Sequence, residues 1–451
     1  MANVKSFIDK LHARLGDFWW YSILMFVALR FGDVINAVIG LWLVPKYVPQ
    51  EELGAVLPLT QFATTIALPI TIAATVFTRY LTIFKTRNEF GKIKSLLIWF
   101  FGFVVAATTL SAIVAKFTLP ALFERIRVED GSLTMLIIAA GTIGTITPVF
   151  NNALQGLKKF NTITLINLFS APIRFITMII TLPIRALSGY MVGQILPQIF
   201  AIGASLLTLR KELPQHITTI PFWKNSAKQI FIYFIWVAFA CVPGQILTIV
   251  QTTIIRQRLP EIESAAYYMI SRFSELATFA GATIIFVMLP FIVEANTQGK
   301  ENPKSLYQMY VGTITFGIAC TATLYFGGEF ILNVFPTTRQ YTCYSTDMAL
   351  LAVNLVLGYL WGNFTAYETA NNRFGYMWYN IPITTIEVVF IIAFCGHTYF
   401  IGKLPNEIVS WMGSCQIATL RNILLTLIYF NMIRIAANII DHALHILKAF
   451  R

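Results

Sequence analysis

Charge is what this chain has least of. Asp, Glu, Lys and Arg make up 12% of its 451 residues, about half of the roughly 25% of a soluble domain. So few charges leave a water-facing surface of that size uncovered, and a soluble globular protein is excluded. The five cysteines (Cys241, Cys320, Cys343, Cys395, Cys415) show no CxxC or metal-ligand spacing, so no metal centre is expected. Cys343, Cys395 and Cys415 fall near one side and leave room for a single disulfide. The five histidines (His12, His216, His397, His442, His445) all lie in loops or tails. No Walker loop or other nucleotide-binding motif is present, and no cofactor is expected. The opening stretch MANVKSFIDKLHARLGDF is amphipathic and basic without a small-residue cleavage site, so the first apolar run is expected to be retained.

What is there is hydrocarbon: 57% of residues are hydrophobic and mean hydropathy is +0.68. Twelve apolar runs lie near 19–45, 55–79, 95–116, 133–155, 161–182, 187–209, 229–254, 264–290, 306–326, 346–368, 377–397 and 410–436. Each approaches the ~20 residues that cross a bilayer core as a helix. Their lack of period-2 alternation excludes a membrane barrel. The fold class is an all-α integral membrane protein of about twelve transmembrane helices.

Orientation follows from Lys and Arg, which stay in cytoplasmic loops. With the N-terminus inside, inner segments hold 20 of the 33 basic residues, outer segments 9 and the spans 4. Both termini are therefore expected on the cytoplasmic side of the inner membrane. The net charge of +12 is a topology signal, and no nucleic-acid partner is expected because no soluble basic face exists.

A weak repeat runs at about 210 residues. GAVLPLTQF (54–62) and AAYYMISRF (265–273) each open the second span of a half. KSL recurs at 94–96 and 304–306, and LQGLKKFNT (154–162) and ETANNRFGY (368–376) each close a fourth span. Six is even, so the repeat is parallel, about an axis along the membrane normal. The expected parts are an amphipathic N-terminus (1–18), a six-helix half (19–209), a basic linker (210–228), a second half (229–436) and an amphipathic tail (437–451).

With VPKYVPQEELGAVLPLTQF and LQGLKKFNTITLINLF, the chain resembles the polysaccharide flippases that export O-antigen, capsule and exopolysaccharide repeat units. These belong to the superfamily that also holds the multidrug and toxic-compound extrusion (MATE) transporters. The resemblance covers nearly the whole chain by pattern, with no invariant signature. It implies two six-helix bundles around a central, often cationic cleft. It also implies transport of a polyprenyl-pyrophosphate-linked oligosaccharide by alternating access, without enzymatic chemistry.

Charges inside the spans are the candidate site. An Arg at a helix centre costs roughly 2.5–3.5 kcal/mol on the translocon scale, so it normally faces protein or water. Arg30, Arg174, Arg272 and Arg421 qualify, with Asp33, Glu275 and Glu387 as acids. Arg30 and Asp33 stand at i, i+3, as do Arg272 and Glu275, with Tyr268 one turn before. These arginines either line a cavity for a pyrophosphate or staple helices through their carboxylates. Tyr268 and Trp361 are further cavity candidates, with Tyr359, Tyr367, Asn354 and Asn363 near Trp361 on span 10. Asp33, Glu275 and Glu387 are candidates for coupling to Na⁺ or H⁺, Glu387 having no basic neighbour within its own span. The resemblance implies as partners the lipid-linked sugar and membrane lipids, with the glycosyltransferase or polymerase machinery as candidates. One rival is a MATE-type exporter of cationic drugs, whose site wants carboxylates without balancing arginines. The other is a lipid-dependent glycosyl- or acyltransferase, which wants an embedded His or a large outer loop.

Overall fold

The computed structural model describes residues 20–21, 23–128, 132–212, 223–298, 304–393 and 419–449, nearly all helical. In chain order they form α1 (Ile23–Tyr47), α2 (Gln50–Ile66), α3 (Leu68–Thr86), α4 (Phe90–Ile126), α5 (Ser132–Gly156), α6 (160–184) and α7 (187–212). The series continues with α8 (Trp223–Arg258), α9 (Glu261–Ser274), α10 (Phe279–Thr297), α11 (Lys304–Val334), α12 (Ser345–Ala370), α13 (Met377–Ile391) and α14 (Leu420–Ala449).

Eight helices among the described residues are long and apolar enough to cross a membrane, and the bent pair α2–α3 adds a ninth. One of the eight, Phe160–Glu212, is a hairpin of two spans: Arg185 and Ala186 leave helical geometry, Ala186 at φ 36°. The hairpin closes tightly. Thr181 Oγ1 donates to Gly189 O (2.8 Å), and any Cβ on Gly189 would sit 2.1 Å from Thr181 O. α9 runs into α10 through a 3₁₀ turn at Glu275–Thr278 and forms another span, and the shorter apolar α13 supplies the twelfth. The chain is a multi-pass, all-helical membrane protein.

The backbone solves its polar problem inside each helix, as a bilayer demands. On α3 the hydroxyls of Thr71, Thr75, Thr78, Thr82 and Thr86 donate to carbonyls four residues back. Such back-bonding satisfies the hydroxyl in lipid. The 54° bend between α2 and α3 falls where Pro69 enters the first turn of α3, a residue with no N–H for the preceding turn.

The repeat is visible in geometry. Pro49 (φ −55°, ψ 149°) caps α2, and Pro260 (φ −52°, ψ 152°) caps α9 in the same conformation. Both ensuing spans break partway along, at Ala67 and at the 3₁₀ turn 275–278. α5 ends on Lys158 (φ 53°) and α12 on Asn372 (φ 60°). Around each, two N–H groups reach back: Lys158 to Gln155 O and Lys159 to Leu154 O, Asn372 to Thr369 O and Arg373 to Glu368 O. This is the left-handed cap that stops a helix. α5 packs on α2, α3, α4 and the α6–α7 hairpin; α12 packs on α9, α10, α11 and α14. The same landmarks in the same order make two parallel halves.

Polar contacts bridge the halves at both ends. On the face with loops 87–89, 157–159 and 371–376 (the basic face), Arg79 Nη1 donates to Thr369 O (3.1 Å) and Ala370 O (3.0 Å). Beside it Lys158 pairs with Glu294, and Phe160 stacks on Phe291 at 6.4 Å. On the opposite face Arg256 donates to Glu51 O (2.6 Å) and Ile126 O (3.2 Å), and Thr337 Oγ1 donates to Leu41 O (2.6 Å).

Span limits differ from the sequence reading at the C-terminus. The last helix starts at Leu420 and runs unbroken to Ala449, its stretch long and apolar enough to cross a membrane being Leu420–Asp441, so 437–449 continues the same helix. Residues 1–19, the core of the basic linker (213–222), Cys395 and Cys415 lie outside the described residues, and with them the disulfide for which the sequence leaves room.

Candidate functional site

α1 organises the charged residues. Its apolar run holds Arg30 and Asp33 one turn apart, paired at 2.9 Å, with the guanidinium 5.1 Å from the Phe26 ring. About two turns on, the helix widens to a π-helical stretch at Ile39–Leu43. Such bulges concentrate at functional sites because they free carbonyls and re-aim side chains. The bulge receives the second half: Tyr268 Oη donates to Gly40 O (3.4 Å). A Cβ on Gly40 would lie 3.3 Å from Arg272 Cδ, so Arg272 lies close against α1 at this glycine. Arg272 pairs with Glu275 (3.3 Å) and covers the Tyr268 ring at 5.2 Å. From α6, Arg174 Nη1 donates to Asn36 Oδ1 on α1 (3.1 Å). Asp33 lies in the field of Glu275, and Tyr268 in the fields of Arg272 and Arg174.

Arg30, Asp33, Arg174, Arg272, Glu275 and Tyr268 thus form one charged belt across the junction of the halves. Two of its arginines are matched by carboxylates, whereas Arg174 has a neutral amide partner.

Two cavities flank the belt. The smaller, about 220 Å³, lies between α1, α6 and α7, with Asp33, Asn36, Arg174, Gln194 and Gln198 in its wall. Among the described residues, Arg174 Nε, Gln194 Nε2 and Gln198 Oε1 are buried with no protein partner. Buried polar atoms are nearly always satisfied, so these are the groups placed to hold water or a polar ligand. The larger, about 530 Å³, lies within the second half, touched by Leu57 and Gln61 from the first. It falls in the size range of small-molecule sites. Its polar wall is a hydrogen-bonded chain: Asn431 donates to Asn354 Oδ1 (2.8 Å), Arg434 to Asn431 Oδ1 (2.9 Å) and Thr384 Oγ1 (3.1 Å). Glu275 stands in the wall of this cavity, as Asp33 does in that of the other.

Several expectations need correction. Glu387 does not stand alone: Arg434 on α14 pairs with it, both almost fully buried. Arg434, two residues from the end of the run 410–436, belongs to the inner-segment charges of the sequence tally; the helix runs on to Ala449 and places it inside the span. Arg421 does not reach the cavities; it sits in the first turn of α14, 59% exposed and 4.0 Å from Asp347. Tyr268 is 1% exposed and braces the helix junction instead of offering a binding face. Trp361 does line the larger cavity, edge-on to Tyr376 (5.9 Å). The sequence reading missed Asn36, Arg434 and Arg256. All three are polar residues in or beside apolar runs, the signal that singled out Arg30.

No family model matches the sequence, and no curated protein matches it. Solved structures do. An inward-facing multidrug-resistance MATE transporter superposes with TM-score 0.64 at 13% identity, over 94% of this chain and 99% of that one. An outward-facing structure of such a transporter gives TM-score 0.68 at 12%, over 95% and 97%. A transporter of the same superfamily from Pyrococcus furiosus gives 0.64 at 13%, over 95% and 97%. It is described as having a binding pocket of reverse polarity that suggests a different function. At such identities the likeness establishes the fold: a MATE-like pair of six-helix bundles about a central cleft.

Proposed function

We propose that the protein is a secondary transporter of the MATE type, whose two halves rock about the cleft and carry cargo outward. The observation that carries this is the paired bridging. The halves are clasped at both faces by a few polar contacts, and the unpartnered polar groups and both cavities lie between the clasps. Releasing one set at a time is alternating access. The basic face is cytoplasmic with both termini inside, the halves 19–209 and 229–436 move as units, and Asp33 and Glu275 couple the motion to Na⁺ or H⁺. The likenesses to MATE transporters support this reading over the flippase. In proteoliposomes, an imposed Na⁺ or H⁺ gradient should drive export of an organic cation. Asp33→Asn with Glu275→Gln should abolish it, and gradient-independent export would sink the proposal.

One observation favours a second reading. Arg174 brings a guanidinium with no matching carboxylate to the smaller cavity, so the belt carries a net positive charge. A planar guanidinium fork suits phosphate oxygens, which favours an anionic head such as a polyprenyl-pyrophosphate-linked oligosaccharide. The polymerase or glycosyltransferases that use it would then be partners. Flipping of a lipid-linked sugar, with no cation export, would select this reading.

A further inference from the structure

We infer that the aromatic groove between α3, α4 and α8 binds one hydrocarbon chain of an anionic phospholipid from the leaflet at the basic face. The groove has a volume of about 350 Å³, and its walls include Phe77, Tyr80, Phe100, Phe103 and Phe234. Phe77 and Phe100 form its floor, stacked at 4.3 Å and each 2% exposed. Trp99 (51% exposed) and Phe231 (64%) stand at its rim. Its three helices all cross the membrane, so the medium at the opening is the bilayer and a lipid chain is what fills the groove. Lipid tails gain no hydrophobic energy there. What selects this place is dispersion contact with aromatic walls on several sides, where an ordinary lipid-facing helix offers one.

Its depth and charge point to the head. The lining residues occupy the middle turns of α3 (73–80), the first third of α4 (96–103) and the third and fourth turns of α8 (230–234), in the half of each span nearer the basic face. Lys228 is exposed one turn before Phe231, within reach of a phosphate at the membrane surface. α3 and α4 belong to one half and α8 to the other. A chain in the groove therefore touches both sides of the seam where Phe103 meets Phe234 (5.9 Å) and Tyr80 meets Tyr233 (6.1 Å). The lipid stabilises that juxtaposition, independently of the cargo.

The test uses the full-length protein in nanodiscs holding phosphatidylglycerol with a photoactivatable diazirine in its acyl chain, the adducts being mapped by mass spectrometry. Labelling at Phe100, Phe103 and Phe231 should exceed that at Ile318 and Phe326, which are 63% and 85% exposed. Unlabelled phosphatidylglycerol should compete about fivefold better than phosphatidylcholine, the factor for one basic residue near an anionic head. Ala73→Phe should bring groove labelling down to the Ile318 level, and Lys228→Gln should erase the lipid preference while leaving the labelling. Groove labelling no stronger than at Ile318 in the unaltered protein overturns the site. Equal competition by the two lipids overturns the anionic head.

Discussion

Removing either member of the Glu387–Arg434 pair should cost far more than removing both. The two side chains are 1% and 5% exposed, deep between α13 and α14, with Thr384 and Asn431 as their other partners. Glu387→Leu strands a guanidinium that cannot shed its charge in the bilayer. The expected loss is about 3–5 kcal/mol, the range for an orphaned buried charge. Arg434→Met should cost less, because a carboxyl left alone can take a proton and go neutral. The double substitution removes both desolvation penalties and should lie within about 1 kcal/mol of the original. The assay is a double-mutant cycle on reversible unfolding in mixed micelles, read as a coupling energy. Single effects below about 1 kcal/mol that simply add would show the two groups to be independent, and the account of the buried network would be wrong.

Other perturbations follow from the same geometry. Arg79→Ala removes the guanidinium from the carbonyls at the end of α12 and should raise the reactivity of a cysteine at Gln61 toward a reagent added on the basic face; unchanged reactivity would exclude Arg79 as a clasp. Exchanging Lys158 and Glu294 should restore the closed population that either charge reversal alone loses, and failure of the exchange would deny the ion pair that role. Gly244 lines the larger cavity, and a Cβ there meets no atom within 4 Å. Gly244→Leu should therefore leave expression and folding intact while abolishing transport, and normal transport would remove that cavity from the cargo path. Arg174→Lys keeps the charge without the fork and should retain part of the transport of an anionic cargo, whereas Arg174→Ala should lose it; equal loss in both would point to packing.

The long-range plan was legible because a bilayer enforces it. Twelve apolar runs can only be helices, and landmarks such as LQGLKKFNT and ETANNRFGY recur where left-handed caps are needed, at Lys158 and Asn372. The i, i+3 pairs Arg30–Asp33 and Arg272–Glu275 were readable because one helix supplies both members. Contacts between helices were not. Glu387 looked alone because its partner lies 47 residues away on another helix, and Arg434 looked like a loop residue because a basic side chain near a span end ordinarily marks the interface. Likewise Arg256 reads as loop charge until packing buries it against Glu51 O and Ile126 O. The π-helical stretch in α1 left no trace in IGLWL, and the residues packed against it, Tyr268 and Arg272, come from the other half of the chain.

Alternating movement of the halves is the central claim, and paired spin-label distances test it most directly. One pair is placed at Arg87 and Gln298 on the basic face, the other at Glu52 and Gln340 on the opposite face. As coupling ion and cargo are supplied, one distance should lengthen as the other shortens. Distances that change in the same direction, or not at all while transport proceeds, would contradict it.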